Sequence, residues 1–366
     1  MERCAIVGSG LAGFTAYVTL RAGGLAQGEI AVFGTDEDPA AAWRRRAASI
    51  RQPRMRSESD GHCYAASFPG LAVREALRRR SPLPLLWTAI DRYNPTVDDF
   101  LGHVKELRAE TGWDGSFRHA RIGAIRPADD GFDVGRDGCF RHVLLAPGHP
   151  GLAVPEELGA DPRVVHAYEP HEYAGRVVVV GAGMAAAHEW LNALAAGAEV
   201  VSVRRREPAR RPLNVPRPMF TRRGLAAYHR TGNEERAELL RSWLAPSYPP
   251  GRRWDVPLEQ AAREGRFSVA ERLNGADQVI CATGFRRGFR HDPLLSRLVD
   301  ENGLDTHDRW IVLDENCAVP SLTDAARTLS LAGVPAQWAF PAADTLAGAK
   351  YAARRFLRAV RACPTR

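Results

Sequence analysis

Short apolar runs alternate with glycine-rich turns and amphipathic stretches along this chain. At the start, Cys4 to Val7 is a continuous apolar run, about Ala12 to Ala22 carries apolar residues at helical spacing, and Glu29 to Phe33 is apolar again. A buried strand, a helix and a second buried strand within so few residues predict a βαβ unit. The pattern returns at Arg176. Val177 to Val180 forms a strand, GAGMAA turns the chain, a helix runs to about Ala196, and Glu199 to Val203 closes the unit. The two units are too distant and too dissimilar for a solenoid, so each is expected to head its own parallel sheet in an α/β fold.

The intervening pattern is less regular. Pro39 to Pro84, rich in proline and arginine, reads as loop, Thr96 to Glu110 as a helix, and Phe117 to His142 as a short strand pair. Pro208 to Asp255 reads as irregular loops around one helix, Asn233 to Leu244. Near the end, Thr328 to Ala332 predicts a strand and Ala342 to Ala362 a long amphipathic helix.

Composition narrows the class. The 366 residues, 45% hydrophobic and 25% charged, can bury a core large enough for two domains. No run approaches the roughly 18 apolar residues of a membrane span, and no basic-then-apolar leader opens the chain, so a cytoplasmic protein without membrane contact is expected. Six scattered cysteines with no CxxC and no Cys/His cluster argue against a disulfide framework, a metal site or a local redox dithiol. The net charge of +7 does not point to nucleic acid, because the aromatics are not interleaved with the basic residues as stacking platforms. An anionic small molecule accounts for it more simply.

Two glycine patterns carry the chemistry. Gly8, Gly10 and Gly13 form GxGxxG at the strand-to-helix turn of the first unit, where backbone N–H groups and a helix N-terminus can meet a pyrophosphate. The acid that usually ends the second strand and grips ribose hydroxyls is replaced by Gly34; Asp36 or Glu37 reaching back, or water and backbone, can take its place, and Asp36 is the candidate carried forward. In the second unit Gly181, Gly183 and Ala186 form GxGxxA, and the following strand ends in Arg204, Arg205 and Arg206. An acid there suits a free 2′-hydroxyl, whereas guanidinium forks suit a 2′-phosphate, so Arg204 and Arg205 point to NADPH over NADH. The alternative is a solvated strand end in an arginine-rich chain.

The strands around Val143 and Val279 run into Ala146-Pro147-Gly148 and Ala282-Thr283-Gly284-Phe285. With these crossings the chain resembles the two-dinucleotide-binding-domain flavoproteins, in which an NAD(P)H domain is inserted in an FAD domain. The resemblance implies two Rossmann-like domains: FAD-binding at 1–150 and 290–366, NADPH-binding at 151–289. It places Gly148, Thr283 and Gly284 at the crossings and Gly333, Gln337 and Ala342 to Thr345 in the terminal FAD-binding segment, although the usual aspartate after Gly333 is absent. Trp43, the stretch Asn94-Pro95-Thr96 and the lack of paired cysteines are most similar to the flavin monooxygenases that hydroxylate nitrogen or sulfur. His166, with Tyr168 and Tyr173, partly matches the histidine-centred signature of those enzymes and reads either as an active-site group or as a hinge histidine.

That resemblance implies hydride transfer from NADPH to FAD, reaction with oxygen to a flavin hydroperoxide, and attack by a nucleophilic N or S of a small-molecule substrate. Two other readings stay open: an FAD-dependent oxidoreductase passing electrons to an acceptor, and a cofactor-binding scaffold. Substrate contacts are expected outside the template. Arg56 or Ser57 can bind an anion or the flavin, or form a polar loop; the Pro246 to Asp255 segment is a lid or a rigid connector; Trp338 is a pocket wall or a core residue.

Overall fold

The computed structural model describes residues 3–56, 70–89, 93–213, 215–273 and 275–363. The chain opens with β1 (Cys4–Val7), α1 (Leu11–Ala22) and β2 (Ile30–Gly34), followed by α2 (Ala41–Ser49), α3 (Leu71–Arg79), α4 (Leu83–Ala89) and α5 (Val97–Thr111). Five strands come next: β3 (Phe117–His119), β4 (Ile125–Ala128), β5 (Gly131–Val134), β6 (Cys139–Phe140) and β7 (His142–Leu145). The second unit contains β8 (Val164–His166), β9 (Arg176–Val180), α6 (Met184–Ala195), β10 (Glu199–Val203), β11 (Ala209–Arg210), α7 (Arg222–His229), α8 (Asn233–Trp243), β12 (Ser247–Tyr248), α9 (Arg252–Arg263), β13 (Phe267–Ala270) and β14 (Gln278–Cys281). The chain ends through α10 (Pro293–Asn302), β15 (Thr306–His307), β16 (Trp310–Ile311), β17 (Thr328–Leu331) and α11 (Leu346–Ala362).

Two parallel five-stranded sheets result, in the orders β17-β7-β1-β2-β3 and β13-β10-β9-β14-β8. Both are α/β sheets of the Rossmann-like kind. Their central strands read as unbroken apolar runs because both faces are covered: every residue of β1 and β7 is buried, and β9 is buried at Val177, Val178 and Val179. On the first sheet α1 packs against α11, so the N-terminal and C-terminal segments share one core. Strand β17 reaches that sheet only after the second has been completed, so the second sheet lies within the sequence of the first.

Four sequence expectations change. Pro39 to Pro84 contains helices α2, α3 and the start of α4 instead of continuous loop. The segment AAWRRRAAS is made largely of strong helix formers, and Pro84 sits at the second position of α4, where its missing N–H costs nothing. Between Phe117 and His142, β3 joins the parallel sheet, while β4, β5 and β6 form a separate antiparallel meander. Pro208 to Asp255 holds two helices, α7 and α8, and the start of a third, α9. The terminal helix begins at Leu346, four residues later than the pattern suggests, because Thr345 caps it by accepting from the Gly348 N–H.

Candidate functional site

The fingerprint turns and both crossings lie at the carboxyl ends of their strands, where open α/β sheets bind ligands. Gly8 leaves β1 at φ +117°, and a Cβ there would stand 2.1 Å from the Ala146 carbonyl oxygen. A Cβ at Gly13 would stand 1.9 Å from the Gly8 carbonyl oxygen, so the turn and α1 are pressed together through bare backbone. Gly10 is different: nothing lies within 4 Å of its Cβ position. It is the N-cap of α1 and supplies no side-chain acceptor, which leaves first-turn N–H groups facing open space. That combination fits a pyrophosphate. Gly333, at φ +69°, brings the exit of β17 to the same helix start, with its Cβ position 3.3 Å from Ala12 Cβ.

The ribose end departs from the usual pattern for a physical reason. A Cβ at Gly34 would fall 2.1 Å from Ser9 Oγ, so the serine inside the fingerprint excludes any side chain at the end of β2. Asp36 pairs with Arg45 at 3.3 Å, and Glu37 with Arg108 at 2.5 Å.

The second turn repeats the first. Gly181 has φ +137°, with its Cβ position 2.4 Å from the Ala282 carbonyl oxygen, while Gly183 faces open space and caps α6 without a side-chain bond. Ala186 is buried completely. Beyond β10, Arg204 pairs with Glu207 at 2.6 Å and lies 5.8 Å from the Trp190 ring, whereas Arg205 and Arg206 are exposed. All three follow the carboxyl end of β10, with Nη2 of Arg204 donating to Glu207.

The two crossings meet. The Thr283 hydroxyl donates to the Ala153 carbonyl, and the Gly284 carbonyl accepts from Ala153 N–H at 3.0 Å. His166 Nε2 donates to the same Gly284 oxygen at 3.0 Å, while its Nδ1 accepts from Tyr168 N–H at 3.1 Å. The acceptor at one nitrogen and the donor at the other fix the Nε2–H tautomer, and burial holds its pKa below the ordinary imidazole value. Both ring nitrogens are thus used in joining the linker to the crossing turn. Phe285 beside them is stacked on His149 (centroids 3.8 Å, 16°) and on Tyr168 (5.0 Å, 13°), with the Arg46 guanidinium 4.6 Å from its centroid. Burial, with Arg46 and Arg287 adding to it, lowers the His149 pKa to about 3, so the ring is neutral at pH 7.

Other expected contacts divide. Gly148, at φ +79°, has open space at its Cβ position and borders a cleft that Gln337 also lines. Arg56 donates to the Arg211 carbonyl at 3.1 Å and to Ser247 Oγ at 3.0 Å, tying the segment after α2 to the second unit. Burial brings its pKa down to about 10. Trp43 packs edge-on against Phe100 at 5.2 Å. Thr345 is spent on the α11 cap and a 2.7 Å bond to the Ala342 carbonyl. Ser57 falls outside the described residues. Trp338 is a core residue, fully buried, with its carbonyl accepting from Tyr228 Oη at 3.1 Å. Tyr248 and Trp254 are buried against each other, and Tyr248 meets Trp190 edge-on, which makes the Pro246 to Asp255 segment a packed connector.

Sequence reasoning missed Ser9, His149 and Arg287, whose charge helps to keep His149 neutral. Only Ser9 carried a local signal, since it sits inside the fingerprint. The others come together through residues far apart in the chain.

No protein-family model matches the chain, and no curated protein matches it in sequence. Solved structures do. An ornithine N-hydroxylase from Kutzneria sp. 744, solved with reduced FAD, NADP+ and L-ornithine, superposes with a TM-score of 0.72 at 16% identity over 99% of both chains. A flavin-containing monooxygenase from Stenotrophomonas maltophilia gives 0.60 at 20% identity over 99% of both. A bacillithiol disulfide reductase from Bacillus cereus gives 0.59 at 14% identity over 98% of both. Among the described residues no helix is long and apolar enough to cross a membrane. What these likenesses share is architecture: along nearly its whole length the chain has the two-sheet, Rossmann-like fold of the flavin-dependent monooxygenases, a fold of FAD- and NAD(P)H-dependent oxidoreductases that also serves a disulfide reductase.

Proposed function

We propose that this chain is an FAD enzyme that takes hydride from NADPH and places one atom of molecular oxygen on a nucleophilic nitrogen or sulfur of a small molecule. The observation that carries this reading is the pair of helix N-termini, at Gly10 and Gly183, each left without a side-chain cap behind a glycine turn and joined through crossings that meet at Phe285. Residues 1–150 and 290–366 hold FAD and residues 151–289 hold NADPH. Gly8, Gly10 and Gly13 seat the FAD pyrophosphate, with Gly148, Gly333, Gln337 and Thr345 along its edge and Asp36, Trp43 and Arg56 nearby. Gly181, Gly183 and Ala186 seat NADPH, with its 2′-phosphate at Arg204 and Arg205. When bound, FAD supplies hydride acceptance and oxygen activation. Thr283, Gly284 and His166 position the crossing turns, and neutral His149 adds no charge beside them.

The sequence holds no CxxC pair, which favours a monooxygenase over a dithiol reductase. The test is purified protein supplied with NADPH, oxygen and a panel of amines and sulfides. Products heavier by one oxygen atom, formed one per NADPH, support the reading. NADPH consumption driven by a quinone, with no oxygenated product, replaces it with an electron-passing oxidoreductase. A colourless protein that takes up no FAD leaves a scaffold.

A further inference from the structure

The connector between β8 and β9 carries a second histidine, His171, beside α6, the helix whose uncapped start at Gly183 faces open space. Its imidazole stands against Glu189 of that helix, with the two side chains 3% and 0% exposed. Both groups are out of water. Nδ1 is 2.7 Å from the Glu169 carbonyl oxygen, and Nε2 is 2.9 Å from Glu189 Oε2, the same oxygen that accepts from the Tyr173 hydroxyl at 2.9 Å.

These contacts fix how many protons the pair holds. A carbonyl oxygen only accepts, so Nδ1 carries a hydrogen. A neutral imidazole then has none left for Nε2, and its lone pair would face a carboxylate oxygen across 2.9 Å. The arrangement therefore needs one proton beyond a neutral ring and a carboxylate, placed on Nε2 or on Glu189. Glu189 Oε1 is buried and accepts no hydrogen bond among the described residues, so compensation of the carboxylate falls to His171 and Tyr173. Burial by itself lowers the His171 pKa, but the hydrogen bond and charge of Glu189, with the Glu169 carbonyl, outweigh it and raise the pKa above the ordinary imidazole value. Arg51 opposes them, the His166 ring is near enough to feel the charge, and Glu172, paired with Arg51, stands in solvent.

The pair sits where the two units meet. Ile50 and Arg51 follow α2 of the first unit, yet Ile50 is buried in the core of the second. Asn192, one turn beyond Glu189, donates to the Ile50 carbonyl at 2.8 Å, and the Arg51 guanidinium lies 4.9 Å from the centroid of the Tyr173 ring. At its other end the connector holds the crossing, since Glu169 Oε2 accepts from the His166 N–H at 3.0 Å and His166 donates to Gly284.

We propose that the His171–Glu189 pair is a proton-dependent fastener, which pins the connector to α6 while it holds its proton and releases the connector, and with it the alignment of the two units, when the proton leaves. The hold is complete below about pH 6.5, the unfolded value, and is lost as pH rises through the raised folded value. The fastener rests on the contacts alone; its bearing on hydride transfer rests on the NADPH reading.

Two readouts on the purified full chain need no turnover. Nitrogen NMR of the His171 ring should show both nitrogens protonated at about pH 7, with titration above about 6.5. Hydrogen exchange of the 166–173 peptide, corrected for its intrinsic pH dependence, should quicken about tenfold or more once that proton is lost. Glu189→Gln supplies an amide N–H to a neutral His171 and a carbonyl to Tyr173, so E189Q should keep slow exchange at every pH and bring the ring titration below about 6.5. If E189Q fails to fold, His171→Gln, whose amide donates to Glu189, should remove the pH dependence of exchange in the same way. A His171 neutral at about pH 7, level exchange in the wild type, or a pH dependence that survives these variants would overturn the proposal. In protein that NADPH reduces, single-turnover flavin reduction should slow about tenfold or more over the same pH range in the wild type and stay level in E189Q; an undiminished rate while the connector loosens would overturn the role in alignment. Absence of reduction at any pH sinks only the enzymatic reading.

Discussion

Replacing Gly8 and Gly10 separately by alanine should separate folding from cofactor binding. At Gly8 the backbone is at φ +117°, and the new methyl would lie 2.1 Å from the Ala146 carbonyl oxygen. A non-glycine residue held in such a region costs about 1–3 kcal/mol, and forcing backbone apart in a packed site adds about 1–3 kcal/mol. G8A is therefore expected to lose roughly 2–6 kcal/mol, read from urea unfolding of FAD-free protein. At Gly10 the backbone is extended, with φ −74° and ψ −175°, and nothing stands within 4 Å of the methyl position. G10A should cost only about 1 kcal/mol, the difference between glycine and alanine at an N-cap. Its methyl nevertheless enters the space over the first turn of α1 where the pyrophosphate is to sit. A tenfold or greater rise in the FAD dissociation constant is expected, about 1.4 kcal/mol, measured by fluorescence titration of apoprotein. If G10A binds FAD within about twofold of wild type, the pyrophosphate does not lie over Gly10. If G8A is as stable as wild type, the close approach of the turn to β7 is wrong.

Changing Arg204 and Arg205 together to alanine should weaken NADPH binding by about tenfold or more and NADH by less than about twofold; equal losses would refute the 2′-phosphate assignment. His142 and His188 are buried, and desolvation, with nearby arginines adding to it, lowers each pKa from 6.5 to about 4. The unfolded chain therefore binds protons between those values that the folded chain does not. Stability is complete above about pH 6.5 and falls as pH drops toward 4, by about 1.4 kcal/mol per pH unit per histidine. His188→Phe, which preserves the edge-on packing against Trp254, should flatten the slope between pH 6.5 and 5.5 by one such share in urea titrations. An unchanged slope would mean His188 is not held neutral.

How much the sequence revealed followed from how local each signal was. The strands from Cys4 to Val7 and Val177 to Val180 were legible because burial on both faces of their central residues demands unbroken apolar runs, and the glycine spacings because bare backbone contacts at Gly8, Gly13 and Gly181 admit no side chain. Proline and arginine content misled over Pro39 to Pro84 and Pro208 to Asp255. Proline breaks a helix only in its interior, and arginine is a good helix former. The empty acid position at Gly34 was visible, but its cause, the Ser9 hydroxyl, was a contact across the turn. The Phe285 stack was illegible for a stronger reason. His149, Tyr168 and Phe285 come from the two crossings and the linker, and nothing in their sequence neighbourhoods encodes a meeting that the two sheets impose.

How the reduced protein meets oxygen decides most directly whether it is a monooxygenase. Stopped-flow mixing of NADPH-reduced, FAD-loaded protein with aerated buffer, followed across the visible spectrum, should show two phases, with a long-lived species before the oxidised flavin spectrum returns. A single direct return to the oxidised spectrum, with NADPH still reducing the flavin, would contradict the monooxygenase reading and leave an electron-passing oxidoreductase in the same fold.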